Sequence, residues 1–393
     1  MDYVHQSPQD PGFVQNPYPF YAQARALAPL VYWEDYAMPA AFGYDPVARL
    51  LKDKRFGREI PAEQRIPPPE HLTAFQAIED HSLLEIEPPR HTRLRALILR
   101  AFTSRRVKAL APSIQALCHS LIDAFPDKPF DLIPAYCTQV PVLTIARLLG
   151  VPEAMAPQFL TWSHAMVAMY QAGRNRQIEE RANKASQEFA AYLDGYIEER
   201  RTRPGDDLIS ALIAAEQHEA RLSGSELITT LILLLNAGHE ATVHALGNGF
   251  KQLLQNGWQQ NWLADNTITG LIEEILRFDP PLHMFTRYAY EDIEIFDQTL
   301  SRGDQVALML GAANRDPQIW ADPDVFDPGR PVQTQLAFGS GIHFCVGAPL
   351  ARLEMQIALQ TLFARCPHLK LEAAPTYGNT YHFHGLTGLT VST

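Results

Sequence analysis

One cysteine, Cys345, stands in the stretch "FGSGIHFCVGAPL" (residues 338–350), among glycines and aromatics and two places after His343. A thiol in such a place could be a packed small hydrophobe, a nucleophile or a metal ligand. It lies just before a helix N-terminus, where free backbone N–H groups and the positive dipole end lower a thiol's pKa. Gly339, Gly341 and Gly347 let the backbone wrap closely around whatever the sulfur holds. These features point to an ionised sulfur, so to a nucleophile or a ligand. A nucleophile needs a base aimed at it, and His343, two residues away on a tight loop, is poorly placed to be one, which makes ligation the stronger reading. Cys118, Cys137 and Cys366 sit in helical apolar patterns and are expected to be buried small hydrophobes. No two cysteines form a C-x-x-C pair, which argues against a structural zinc site, an iron–sulfur cluster or a disulfide framework.

A second group breaks the rules of the element that carries it. Ser223-x-x-Glu226 has the form of a capping box, and "SELITTLILLLNAGHEATVHALGNGFKQLL" then runs about 30 residues without proline. That is a helix of roughly 45 Å. Its apolar residues go all round, so it should thread the interior of a large helical unit. Inside it lie Asn236, Gly238, His239 and Glu240. Glycine at mid-helix costs about 1 kcal/mol against alanine, and a buried carboxylate costs more unless paired, which marks a candidate functional site. A third group, Glu274-x-x-Arg277, is an i,i+3 ion pair on "TGLIEEILRFDPP", a helix that stops at Pro280–Pro281.

The remaining pattern places these groups. Prolines and turn signals gather in residues 1–90 and 279–350, while 100–278 reads mainly as helices, with no linker or repeat between them. Residues 286–310 alternate and turn like short strands, and 311–331 form a proline- and aspartate-rich meander. After Cys345 an amphipathic helix begins, with Pro349 suited to its first turn. At 393 residues and 46% hydrophobic content the chain can fill one large core. A net charge of −11 excludes a global attraction to nucleic acid or anionic lipid. The longest strongly apolar stretch, Leu231 to Leu235, falls far short of the roughly 20 residues of a membrane span, and the start carries no signal-peptide pattern. A soluble, cytoplasmic protein with no membrane or nucleic-acid partner is expected.

Phe338-x-x-Gly341-x-His343-x-Cys345-x-Gly347 resembles the haem-binding signature of the cytochrome P450 superfamily. In order along the chain, "EPPRHTRLR" (87–95), "AGHEAT" (237–242), Glu274-x-x-Arg277 and "FDPGR" ending in Arg330 agree with it. The resemblance implies one domain over residues 1–393, a mainly α haem-thiolate fold with a small β region, of the bacterial soluble class. It implies haem b (iron protoporphyrin IX) and a monooxygenase that inserts one atom of O2 into an apolar substrate. Cys345 would be the proximal ligand of the iron, favouring O–O cleavage, with Phe338 over the sulfur side and Gly347 in the wrapping loop. His91, Arg95, Arg287 and His343 would serve the propionates, and Glu274, Arg277 and Arg330 would form a buried structural network.

On the opposite side Ala237 and Gly238 would open the long helix to O2, with Glu240 on the proton route. The family pattern there is A-G-x-[DE]-T, and this chain departs from it: Ala241 stands where the oxygen-binding threonine is expected. Thr242 is one residue, about 100° of rotation, out of place. Substrate contacts are expected from residues 57–86, 161–170, 282–285 and 384–386, with Leu234, Leu282, Phe285 and Leu386 in the pocket and Met166, Met169 and Met284 adding adaptability. Electrons would come from ferredoxin and a ferredoxin reductase, docking on residues 90–108, which hold seven Arg or Lys and no acid; Arg93, Arg100 and Arg105 are the named candidates. Ala241 suggests a peroxide-driven peroxygenase or an isomerase as the rival chemistry, and a haem-binding sensor is the reading outside catalysis. The missing hydroxyl suggests that the substrate itself carries oxygen, as a terpenoid, steroid or polyketide does.

Overall fold

Ser223 and Glu226 form the capping box reciprocally: the Ser223 hydroxyl accepts from the Glu226 N–H and the Glu226 carboxylate from the Ser223 N–H (2.9 Å). They start a helix over Gly224–Asn256 in the computed structural model, which describes residues 1–216 and 222–393. Its 33 residues make it about 50 Å long. Buried residues recur on nearly all its faces, as an interior helix requires. Helices Gln139–Leu149, Ala156–Val167, Arg176–Thr202, Ile268–Phe278 and Ala348–Arg365 pack against this central helix. The main apolar core around it draws on residues from Val14 to Val391. Gly238 marks the crossing with Gln139–Leu149: a Cβ there would stand 2.8 Å from Cγ1 of Ile145. The glycine that the resemblance assigns to oxygen access thus also permits a close helix crossing.

The β region is larger than the alternation in 286–310 suggested. A six-stranded mixed sheet runs in the order Asp2–Val4, Val31–Trp33, Met38–Ala41, Gln305–Met309, Met284–Ala289, Phe56–Gly57. Four of the six strands come from the first 57 residues and are only two to four residues long, too short for alternation to show. In Met284–Ala289, Phe285 pairs with Leu308 and Arg287 with Val306, so Phe285 and Arg287 share one face of the sheet. Within the segment 57–86, expected to contact substrate, Thr73–Glu79 is helical.

Glu274 and Arg277 form the expected pair, almost wholly out of water at 4% and 2% exposure. Arg277 Nε and Nη2 donate to the two Glu274 carboxylate oxygens at 2.7 Å each. Arg277 Nη1 also donates to the carbonyls of Asn314 (3.2 Å) and Pro323 (2.8 Å). Arg330 joins with its Nε 3.6 Å from Glu274 Oε2, and the Asp327 N–H donates to Glu274 Oε1 at 2.8 Å. Asn314 then reaches the cysteine stretch, its Oδ1 accepting from the Leu336 N–H at 2.7 Å. A buried pair so fully bonded is costly to break: removing one partner leaves an uncompensated charge and costs about 3–5 kcal/mol. Arg277→Met should lose that much in urea unfolding, whereas Arg330→Met, losing a longer and more peripheral contact, should lose clearly less.

Candidate active site

Cys345 is carried by a loop whose path is set at both ends. Its N–H donates to the Phe338 carbonyl at 3.1 Å, and Gly347 caps the helix Ala348–Arg365, with Pro349 in the first turn. Gly341 has φ +72°, and a Cβ on it would meet the Leu51 carbonyl at 2.5 Å, so no other residue fits there without displacement. The Phe338 ring lies under the guanidinium of Arg352, 4.5 Å from its centroid, and Phe285 leans on Gly339 from the sheet.

The sequence argument expected the helix terminus to lower the Cys345 pKa; the net effect is the reverse. Burial pushes the thiol up, and the N–H groups of Gly347 and Ala348 and the charges of Arg95 and Arg352 pull it down without overcoming that. A thiol held neutral is a poor nucleophile, whereas a metal deprotonates a coordinating thiol outright, so ligation is the chemistry the loop supports. Cys118, Cys137 and Cys366 are buried, as expected.

Beside the loop the structure gathers four predicted residues and one missed in the sequence. The rings of His91 and His343 lie 4.3 Å apart. Burial first, then the charges of His343 and Arg95, lower the His91 pKa to about 4, so this imidazole is neutral. Its Nε2 is buried with no hydrogen-bond partner among the described residues. Arg95 donates to the Phe344 carbonyl at 2.6 Å. Arg287 is buried and donates to the Thr286 carbonyl at 2.8 Å; burial and the nearby Arg58 lower it to about 10, still cationic at neutral pH. The missed residue is Glu87, whose Oε1 lies 2.9 Å from His343 Nε2 and accepts from the Arg58 N–H at 2.7 Å. His343 is therefore held by a carboxylate as well as standing near the cationic groups.

On the central helix, Leu234, Ala237, Gly238 and Ala241 form a stripe that is at least partly exposed, flanked by partly exposed Leu233 and Asn236. Thr242 is buried off this stripe, in keeping with the rotation argued from spacing. Glu240 is 8% exposed. It accepts from the Ser163 hydroxyl at 3.1 Å, and His164 Nε2 and His239 Nε2 lie 3.4 and 3.5 Å from its Oε1. Burial raises its pKa, but the imidazoles of His239, His164 and His244 outweigh this and hold the carboxyl below the ordinary range. The expected pocket residues scatter more. Met166 and Met169 are core residues, Leu386 packs near Gly247 of the central helix, and Leu282 pairs with Phe383 where the C-terminal segment folds back. A cleft of about 250 Å³ lies elsewhere, lined among others by Lys108, Glu273, Pro349 and Arg352 on the cysteine side.

The family model for cytochrome P450 matches residues 42–263 and 267–376. The chain is a cytochrome P450. Among curated P450s it is similar to the monooxygenase PikC of Streptomyces venezuelae, 38% identical over 92% of this chain and 87% of the relative. It is also similar to the biotin biosynthesis cytochrome P450 of Bacillus subtilis, 37% identical over 91% of each. Among solved P450 structures it is similar to P450BioI in complex with an acyl carrier protein ligated to hexadec-9Z-enoic acid, with a TM-score of 0.91, 34% identity and coverage of 98% and 100%. The Bacillus subtilis 168 P450 PksS gives a TM-score of 0.89 at 32% identity, covering 98% and 99%. This P450 is a haem b monooxygenase of the bacterial kind, mainly α with a small β region. Among the described residues no helix is long and apolar enough to cross a membrane.

The residues present fit haem b on three counts. The loop favours ligation over nucleophilic chemistry, Gly341 and Gly347 keep it closely wound, and the orphaned Nε2 of buried His91 stands with Arg95 and Arg287 as a donor set suited to carboxylates. In reduced protein under CO, Cys345→Ala should lose the red-shifted Soret band of thiolate ligation, while Cys366→Ala and Cys118→Ala should keep it.

Proposed function

We propose that this P450 inserts one oxygen atom into a mostly apolar small molecule that itself bears oxygen, of the polyketide class, and that Glu240 delivers protons where the chain lacks a hydroxyl at position 241. The observation that carries this is the buried, ionised Glu240 beside Ala241 on the exposed stripe of the central helix. Haem b would be held through Cys345 and, when bound, would supply the two-electron activation of O2. Phe338 and Gly347 shape the sulfur side, and His91, Arg95, Arg287 and His343 serve the carboxylates, with Glu87 orienting His343. Glu274, Arg277 and Arg330 keep that loop in place and touch none of the reacting groups.

Proton supply falls to the chain itself. His164, whose side chain is 62% exposed, faces solvent on one side and Glu240 on the other. A proton arriving at His164 Nε2 passes to Glu240 Oε1, which Ser163 holds in place, and from there toward the stripe of Ala237, Gly238 and Ala241. A hydroxyl at position 241 would hold the last water of that path; alanine leaves the task to a hydroxyl or carbonyl of the substrate. Leu234, Leu282, Phe285 and Leu386 are the apolar contacts of this reading. One relative supports the polyketide class by its description: PksS of Bacillus subtilis is a polyketide biosynthesis P450.

Electrons enter from the cysteine side in this reading. Arg93 leaves the docking patch expected from the sequence, since it pairs with Glu226 of the capping box. Arg100, Arg105 and Lys108 remain exposed, near exposed Leu99, Ile342 and Phe344. Exposed basic and apolar side chains on this segment suit an acidic ferredoxin, served by its reductase. Arg100→Glu and Arg105→Glu should slow reduction by ferredoxin several-fold at low ionic strength and flatten its salt dependence. Rates indifferent to both charge and salt would remove the docking proposal.

Product formed per NAD(P)H consumed tests the chemistry. Analogues lacking the substrate oxygen should uncouple the wild type, and Ala241→Thr should restore their coupling. Equal coupling of parent and deoxy analogues would sink substrate assistance, and faster turnover on added H2O2 than with the reductase system would put a peroxygenase in its place.

A further inference from the structure

His164, His239 and Glu240 converge more closely than a proton path requires. Candidate ligand atoms, one ring nitrogen from each histidine and a Glu240 oxygen, lie within 4.8 Å of one another. The two imidazole nitrogens stand 3.4 and 3.5 Å from the same carboxylate oxygen. A tetrahedral zinc site with bonds of about 2.0–2.1 Å has ligand-to-ligand separations of about 3.3–3.4 Å.

The decisive feature is His239, which is wholly buried. Its Nδ1 lies 2.7 Å from the Leu235 carbonyl one turn back. A carbonyl can only accept, so that bond places a proton on Nδ1, and in the neutral ring Nε2 is then a bare lone pair. This Nε2 is buried and has no hydrogen-bond partner among the described residues. It faces Glu240 Oε1, a second acceptor, whose hydrogen-bond donor is the Ser163 hydroxyl. Two lone pairs facing each other in a dry interior are unfavourable, so either a proton on Nε2 or a metal cation must lie between them. Imidazole with its other ring nitrogen bonded to a backbone carbonyl is also the arrangement that metal-binding histidines adopt. Half-exposed His164 completes the set from the helix Ala156–Val167 and gives the site access from solvent.

We infer that His164, His239 and Glu240 form a binding site for a divalent first-row cation of zinc's class, joining the helix Ala156–Val167 to the central helix. Two neutral imidazoles and one carboxylate, with a fourth position open, match the nitrogen and oxygen preferences of zinc. On the proton-delivery reading above, on which only this consequence rests, an occupied site withdraws Glu240 from the relay and zinc inhibits turnover.

The test uses the full-length, tag-free, haem-loaded protein, in which Cys345 is already committed, titrated calorimetrically with ZnCl2 after chelator dialysis. One zinc per chain should bind, and absorption at the zinc edge should report two imidazole nitrogens and one carboxylate oxygen. His164→Gln and His239→Gln should each weaken binding about a hundredfold, since losing even an outer-shell partner costs 10–100-fold. His368→Gln, at an exposed position far along the chain, should bind as the wild type does. His164→Gln, being near the surface, keeps the test decisive if His239→Gln fails to fold. No zinc uptake, or equal uptake by wild type and His164→Gln, overturns the site and leaves the coupling measurements untouched. Zinc bound at the site with turnover unaltered keeps the site and overturns the role of Glu240 in proton delivery.

Discussion

The Glu274–Arg277 pair is the constraint on which the cysteine side depends. Two opposite charges are taken out of water together, and every donor of Arg277 is used. Such pairs add little net stability over apolar packing, but once buried they permit no substitute arrangement. Here the leftover donors hold the carbonyls of Asn314, Pro323 and Val325, and the carboxylate holds the Asp327 N–H. The meander, which has little regular structure of its own, is thereby given one path. Asn314 passes that order on to Leu336, two residues before Phe338. The segment that leads into the cysteine loop is thus tied to charges carried by another element.

The opposite side follows a different rule. A helix buried all round tolerates no unpaired carboxylate, so Glu240 demands partners, and the helix Ala156–Val167 brings Ser163 and His164 to it. The stripe of Leu234, Ala237, Gly238 and Ala241 stays open beside it because those side chains are small or unbranched at Cβ. Acid and opening sit within one turn of each other, on neighbouring faces.

What could be read in the sequence was local. The capping box, the i,i+3 pair, the cysteine loop and the helix after it are all set by residues within a few positions of one another, and all form. What could not be read were partnerships across the chain: Glu87 with His343, separated by 256 residues, and Ser163 with Glu240, separated by 77. No spacing announces such pairs; only the cost of leaving Glu240 unpaired hinted that one must exist. The N-terminal strands escaped because two to four residues carry no period. The thiol pKa was misjudged because a dipole is a local quantity and burial is not.

The close approach of Gly341 to the Leu51 carbonyl has a consequence for how the protein is made. The two residues are 290 positions apart (341 minus 51), and the hydrogen bonds of Gln15 with Tyr377 span 362. Loop closures of that length come late in folding, because their entropy must be met before any contact rewards it. During synthesis Met38–Ala41 and Phe56–Gly57 wait for strand partners in 284–309, with exposed edges that invite wrong pairing. The cysteine loop therefore takes its closely packed path against Leu51 only after residue 341 has been made, so this side of the molecule is the part that forms late.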